Sequence, residues 1–133
     1  DSIFATPGVN IGLFCSTPMV ALSRNINKKN SMKMLLTGEN IKANYAKEIG
    51  LINNYYSVSQ LEKEVVKIAN IIASKSNLVL KIGKTAFYKQ LEMPLEKAYE
   101  YTSKIMTKNM MTQDAKEGIN SFIEKRSPIW KNR

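Results

Sequence analysis

The chain has 133 residues, 44% of them hydrophobic, with 20 basic against 11 acidic side chains, a net charge of +9, one cysteine and no histidine. That length suits one domain or part of one, and the apolar fraction excludes wholesale disorder. A single cysteine excludes an internal disulfide, and the lack of histidine excludes, within this chain, Ser-His-Asp and Cys-His catalytic sets and every histidine-ligated metal site.

Residues 1–30 carry the punctuation Thr6-Pro7-Gly8-Val9-Asn10-Ile11-Gly12 and no helical period, which predicts short strands and loops. Pro18 predicts a short helix through Met19, Val20, Leu22 and Ser23, because proline suits a first helical turn. From Ser31 the chain reads mostly helical. Met32, Leu35 and Leu36 are expected on one inward face, with Gly38 as a left-handed cap. Residues 43–49 form a short helix stopped by Gly50, and residues 51–56 are the best strand candidate of the region. Ser57 or Ser59 is expected to cap a long helix, Ser59-Gln60-Leu61-Glu62 having capping-box spacing. Leu61, Val65, Ile68 and Ile72 follow as an apolar stripe.

Asn77 is the expected cap of the next helix, with Leu78, Ile82 and Ala86 inward and Gly83 at a close packing contact. Pro94, at a first helical position, opens another, with Leu95, Ala98, Thr102, Ile105 and Met106 on one side. Thr112 or Asp114 caps a last helix that carries Ala115, Ile119 and Phe122 and ends by Pro128. Amphipathic helices with short connections predict antiparallel helical packing. The start supplies too few strands for an independent sheet. The fold class is therefore mainly α with a few short strands.

The positive charge comes from 17 lysines and only 3 arginines, and the lysines are scattered. A nucleic-acid surface uses arginine for bidentate contacts and clusters its cations, so no nucleic-acid partner is expected. No run approaches the ~18 apolar residues of a membrane span. Asp1-Ser2-Ile3-Phe4 lacks a basic start followed by an apolar core, so we expect no signal peptide and a chain that begins inside a longer protein.

Local constellations are few. Gly8 and Gly12 are not followed by the Gly-Lys-Ser/Thr of a phosphate-binding loop. Cys15 has no adjacent base and reads as a buried, inert thiol. Glu62 with Glu64, and Glu96 with Glu100, alternate with lysines, as solvated helix faces do. Met32, Met34, Met106, Met110 and Met111 read as packing. Phe122, Lys125 and Arg126 near a helix end have two readings. Phe122 is core and the cations complement the helix dipole, or an aromatic ring and an ammonium stand ready for a phosphorylated nucleotide.

Three stretches in register go further. Phe4-Ala5-Thr6-Pro7-Gly8-Val9-Asn10-Ile11-Gly12-Leu13-Phe14-Cys15 resembles the segment after the second catalytic loop of the crotonase (enoyl-CoA hydratase/isomerase) superfamily. Leu36-Thr37-Gly38-Glu39-Asn40-Ile41 with Ala46-Lys47-Glu48-Ile49-Gly50-Leu51-Ile52 is similar to its L-T-G-x-x-I … A-x-x-x-G-L-V stretch. Glu117-Gly118-Ile119-Asn120-Ser121-Phe122-Ile123-Glu124-Lys125-Arg126 resembles its closing helix. A finer likeness, to its branch of hydratase domain-containing proteins, is carried by residues 4–15 and by Gly83-Lys84-Thr85-Ala86-Phe87-Tyr88-Lys89-Gln90-Leu91.

The resemblance implies the C-terminal part of a crotonase spiral α/β fold. Residues 1–56 would end the β/α spiral core, and residues 57–133 would form the helical region that contacts CoA and builds a homotrimer or a dimer of trimers. It implies an acyl-CoA or enoyl-CoA thioester as substrate or ligand, no tightly bound cofactor or metal, fatty-acid metabolism, and a mitochondrial location inherited from that branch. In the family, two backbone N–H groups hold the thioester oxygen while enolate charge develops, and in hydratases two glutamates move the protons of a water. One glutamate position falls on Gly8, which has no side chain to move a proton, so two-glutamate hydration does not carry over. Gly8 would leave space in the site, and Asn10 would share its side and serve as a hydrogen-bonding group. If the parent is a true enzyme that uses a carboxylate outside this chain, Gly8→Glu would raise hydration with the remaining geometry intact. Lys125 and Phe122 match the family's lysine and phenylalanine that reach the CoA nucleotide, often across a subunit boundary. The alternatives are a hydratase, isomerase or thioester hydrolase that uses residues outside this chain, a non-enzymatic oligomerisation or interaction module, and, weakest, a basic nucleic-acid binder.

Overall fold

The computed structural model describes residues 2–133, mainly helical with two short strands. The chain divides into two compact units, Asp1–Glu64 and Val65–Arg133.

In the first unit β1 (Ile3–Phe4) pairs antiparallel with β2 (Ile41–Lys42), Ile3 opposite Lys42 and Phe4 opposite Ile41. Between them lie a 3-10 helix (Pro7–Ile11), α1 (Ser16–Asn25) and α2 (Lys28–Thr37). Proline starts the 3-10 helix because its fixed φ suits a first turn, and Gly12, at φ 75°, ends it. Pro18 lies in the first turn of α1. Asn27 caps α2 by accepting from Asn30 N at 2.9 Å. Gly38, at φ 61°, closes α2 with its N–H on Met34 O at 3.0 Å. After β2, α3 (Ala43–Glu48) ends before Gly50, at φ 80°. Leu22, Ile26, Met34 and Leu35 form the core, with Cys15, Met19, Ile41, Ile49 and Leu51 packed against it. Each such large side chain contributes about 1.5–3 kcal/mol when fully buried.

Two expectations fail here. The inward face of α2 is Ser31, Met34 and Leu35, while Met32 and Leu36 are exposed. Adjacent i, i+3, i+4 sets differ by one residue's rotation, and the packing of α2 against α1 and the 3-10 helix selects between them. Ser31 tolerates burial because its hydroxyl donates to Asn27 O at 3.0 Å. Residues 51–56 form no strand. The Leu51 and Ile52 amides both turn back to Ala46 O, at 2.8 and 3.3 Å, so they finish α3 instead of joining a ladder.

Gly38 is held at close quarters as well as at positive φ. A Cβ there would stand 3.0 Å from the Asn10 amide and from Val9 Cγ2. Gly38→Ala should therefore destabilise the protein by about 1–2 kcal/mol, read as a lower urea midpoint at unchanged slope.

The boundary between the units falls within α4 (Val58–Ala73). Ser57 O receives the amides of Gln60 and Leu61, both at 2.9 Å, and the Ser57 hydroxyl donates to Gln60 Oε1 at 3.2 Å. Ser59 lies inside the helix, so the Ser59–Glu62 spacing is not a cap. The stripe Leu61, Val65, Ile68 and Ile72 exists, but each residue is exposed and α4 has no buried residue.

α5 (Asn77–Gln90) is capped by Ser76, whose Oγ accepts from Val79 N at 3.2 Å, one residue before the expected Asn77. Ala86 is buried, with Leu78 and Ile82 half-buried, as expected, whereas a Cβ on Gly83 would meet open space. α6 (Leu95–Met110) has Pro94 at its N-cap and packs along α5. Ala98 faces inward, with Thr102 and Ile105 half-buried, while Leu95 and Met106 point outward. α7 (Gln113–Ile123) is capped by Thr112, whose Oγ1 accepts from Ala115 N at 3.1 Å. Its buried residues are Asp114 and Ser121, not Ile119 or Phe122.

Candidate functional site

Sequence reasoning singled out Gly8 in the first unit, and Phe122 and Lys125 in the second. Gly8 sits in the 3-10 helix, donating its N–H to Cys15 Sγ at 3.2 Å and receiving Leu13 N on its carbonyl at 2.9 Å. A Cβ there would lie 2.8 Å from Cys15 Sγ and 2.9 Å from Leu13 O. The space that Gly8 was expected to leave is thus taken by a thiol and a backbone carbonyl. Cys15 is half-buried and its sulfur is an acceptor here. Asn10 does not share the side of Gly8 in the manner of a strand, because three residues make a 3-10 turn. Its Nδ2 donates to Gly38 O at 3.3 Å.

Sequence reasoning missed Thr6, which is 7% exposed and whose Oγ1 has no hydrogen-bond partner among the described residues. It lines a groove of about 500 Å³ with Phe4, Pro18, Leu22 and Leu51. No local pattern in the sequence separates a buried threonine from a turn threonine.

At the other site α7 ends in a paired cap. Lys125 N donates to Phe122 O at 3.3 Å, and Arg126 N donates to Ser121 O at 3.0 Å. This arrangement usually places glycine at the left-handed position. Here Lys125 occupies it, at φ 53°. Phe122 is 85% exposed, so the core reading of that residue fails. The Lys125 ammonium makes no hydrogen bond or ion pair among the described residues. A flat ring and a free cation therefore share one helix end, where an adenine face and a phosphate could be met.

Behind this end lies a charged network. Arg126 grips Glu117 with two nitrogens, Nη1 to Oε1 at 2.5 Å and Nη2 to Oε2 at 3.0 Å, and its Nε reaches Glu124 Oε2 at 2.5 Å. Ile129 N donates to Glu117 Oε1 at 2.9 Å. The Arg126 hydrogen bonds, then that of Ile129, hold the Glu117 carboxyl down at about 2, and Arg126 is pushed above its usual range by the same carboxylates.

A second network ties down the tail. The Asp114 carboxylate, 1% exposed, accepts the Ser76 hydroxyl, Lys131 N at 2.7 Å and Asn132 N at 3.0 Å. Burial alone would raise its pKa, but these hydrogen bonds hold it below the ordinary carboxylate value. Asn132 Oδ1 accepts Asn77 N at 2.8 Å, and Trp130 Nε1 donates to Ser74 O at 2.8 Å. The Trp130 ring lies against Gly118, where a Cβ would meet it at 3.4 Å.

The carboxylates set aside as surface charge include Glu100, which pairs with Lys104 at 2.8 Å and Lys97 at 2.9 Å on an exposed face. Among the described residues no cluster of histidine, cysteine or carboxylate could hold a metal ion, and no helix is long and apolar enough to cross a membrane.

The family model described as enoyl-CoA hydratase/isomerase matches residues 1–133. The chain is similar to the mitochondrial enoyl-CoA hydratase domain-containing protein 3 of Mus musculus, 51% identical over 97% of this chain and 43% of that protein. It is 48% identical to the Homo sapiens protein of the same name, again over 97% of this chain and 43% of that protein. This is the branch to which residues 4–15 and 83–91 assign the finer likeness. The crystal structure of the human protein superposes with a TM-score of 0.89, over 97% of this chain and 51% of that one. An enoyl-CoA hydratase of Mycobacterium smegmatis does so at 0.92 and 43% identity, over 98% and 51%. The chain spans about half the length of the relatives it matches.

Proposed function

The chain belongs to the enoyl-CoA hydratase/isomerase (crotonase) family, and on that premise we propose that it is the C-terminal portion of a protein that binds acyl-CoA or enoyl-CoA thioesters in fatty-acid metabolism. The observation that carries the reading is the end of α7. Phe122 and Lys125 stand exposed one turn apart, at the motif positions that meet the CoA nucleotide in the family. The ring would pack on adenine and the ammonium would pair with a phosphate. We assign residues 57–133 to nucleotide contact and oligomerisation, as a trimer or a dimer of trimers, and residues 1–56 to the end of the spiral core. The exposed stripe of α4 supports an assembled form, since an apolar face of this kind is costly in water. A mitochondrial location follows the names of the relatives.

Gly8 bears on the reaction. A residue without a side chain moves no proton, and the hydrogen-bonded Cys15 occupies its flank. We therefore propose thioester binding without two-glutamate hydration. An isomerase or hydrolase reaction would rest on groups outside this chain.

The test is calorimetric titration of the intact protein with crotonyl-CoA. Lys125→Gly removes the ammonium yet suits the left-handed backbone, so the fold should hold or gain up to about 1 kcal/mol. Affinity should fall about tenfold, the scale of one charge-assisted contact. Equal affinity in the variant would overturn the assignment, and no binding by the unaltered protein at low salt would overturn the function.

A further inference from the structure

We propose that Glu117 and Arg126 are positioning residues for nucleotide binding, clamping the chain where it reverses so that Lys125 is fixed in its left-handed conformation. The inference rests on the reading of Phe122 and Lys125 as nucleotide contacts. A lysine at φ 53° is strained, and such strain persists only where the surroundings over-determine it. Here they do so on both sides. Before Lys125, the carbonyls of Ser121 and Phe122 hold the amides of Arg126 and Lys125. After it, Glu117 takes both terminal guanidinium nitrogens of Arg126 and, through the same Oε1, the amide of Ile129. Glu117 lies two helical turns before the cap, so its grip pulls the chain back along α7 as soon as it leaves the helix.

The clamp also sorts the cations. Arg126 is engaged by Glu117 and Glu124, so its Nε, Nη1 and Nη2 already have partners. Lys125 keeps all three of its N–H donors for an anion. Phe122 is one turn back, its carbonyl tied to the Lys125 amide, so the main chain that carries ring and ammonium belongs to one cap. A bidentate pair suits this task because its geometry is planar and narrow, where a single lysine–carboxylate contact would leave the turn free to rotate.

Two probes separate the halves of a CoA thioester: adenosine 3′,5′-bisphosphate for the nucleotide and crotonyl-pantetheine for the acyl arm. On the intact protein, Glu117→Gln and Arg126→Lys should each weaken bisphosphate binding about fivefold or more and leave crotonyl-pantetheine affinity unchanged. In a Lys125→Gly background, Glu117→Gln should cost less than about twofold further, because a residue that acts through Lys125 has nothing left to position. If Lys125→Gly itself leaves bisphosphate binding intact, the nucleotide reading fails and takes this inference with it. If Lys125→Gly weakens binding but the clamp variants do not, or if the losses simply add, the clamp inference fails alone. Equal loss of both probes would assign the pair to general stability and overturn it.

Discussion

Asp114→Ala lowers the melting temperature of the intact protein by about 5 °C or more, and Asp114→Asn by less. The carboxylate is buried and serves three donors at once, the Ser76 hydroxyl and the amides of Lys131 and Asn132. Alanine leaves the buried Ser76 hydroxyl and the part-buried amides of Lys131 and Asn132 without their acceptor, which is the expensive way to lose a hydrogen bond. The loss spreads, because Ser76 caps α5, Asn132 holds the first amide of α5, and Trp130 anchors to Ser74. Asparagine keeps one acceptor oxygen but turns an N–H₂ toward donors. Differential scanning calorimetry of both variants checks the order, and a melting temperature within about 1 °C of the parent would refute the latch. The pH dependence has a definite sign. Asp114 and Glu117 are both depressed in the folded chain, Glu117 from 4.5 to about 2. The unfolded chain therefore binds protons first as the solution is acidified. The stability these groups supply is fully present above about pH 4.5 and is lost as the pH falls toward 2. Glu117→Gln should flatten that part of the melting profile.

Gly8→Glu gains no hydration activity and destabilises by about 1–3 kcal/mol. A glutamate needs a Cβ, and that atom would stand 2.8 Å from Cys15 Sγ and 2.9 Å from Leu13 O. The sulfur belongs to a short side chain that packs against the Leu22 core, and the oxygen belongs to the backbone bonded around this turn. Neither yields cheaply. The variant is compared with the parent by urea denaturation and by loss of the conjugated-thioester absorbance of crotonyl-CoA. Adding Cys15→Ala should return part of the stability by removing the nearer contact, and still give no hydration. Hydration that rises on Gly8→Glu alone would show that the turn reopens and that glycine merely emptied a working site.

Local signals told much of this fold. Gly38 and Gly50 stop helices because only a left-handed residue closes those turns, and Thr112 caps α7 because its hydroxyl reaches an amide three residues on. The end of α7 is where the family motif singles out Phe122 and Lys125. The left-handed backbone at Lys125 was not legible, since nothing in the residue type favours it. The burial of Thr6 and the hydrogen-bond partners of Glu117 and Asp114 were not legible either. Asp114 reads as a candidate cap of the last helix, and that reading conceals a buried acceptor for a distant tail.

The sequence by itself determined where the helices lie, how most of them begin and end, and the family. Those follow from periodicity, caps and motif order, which act over a few residues or in fixed register. Only the tertiary structure decided which face of α2 is buried, that the amides of Leu51 and Ile52 turn back onto α3 instead of entering a strand, and that the slot beside Gly8 is filled by Cys15. It also decided that the tail is latched by Asp114 and Ser74, across 17 and 56 residues of chain. The reason is that a buried polar group must find its partner wherever the fold brings one, and sequence spacing carries no record of that meeting.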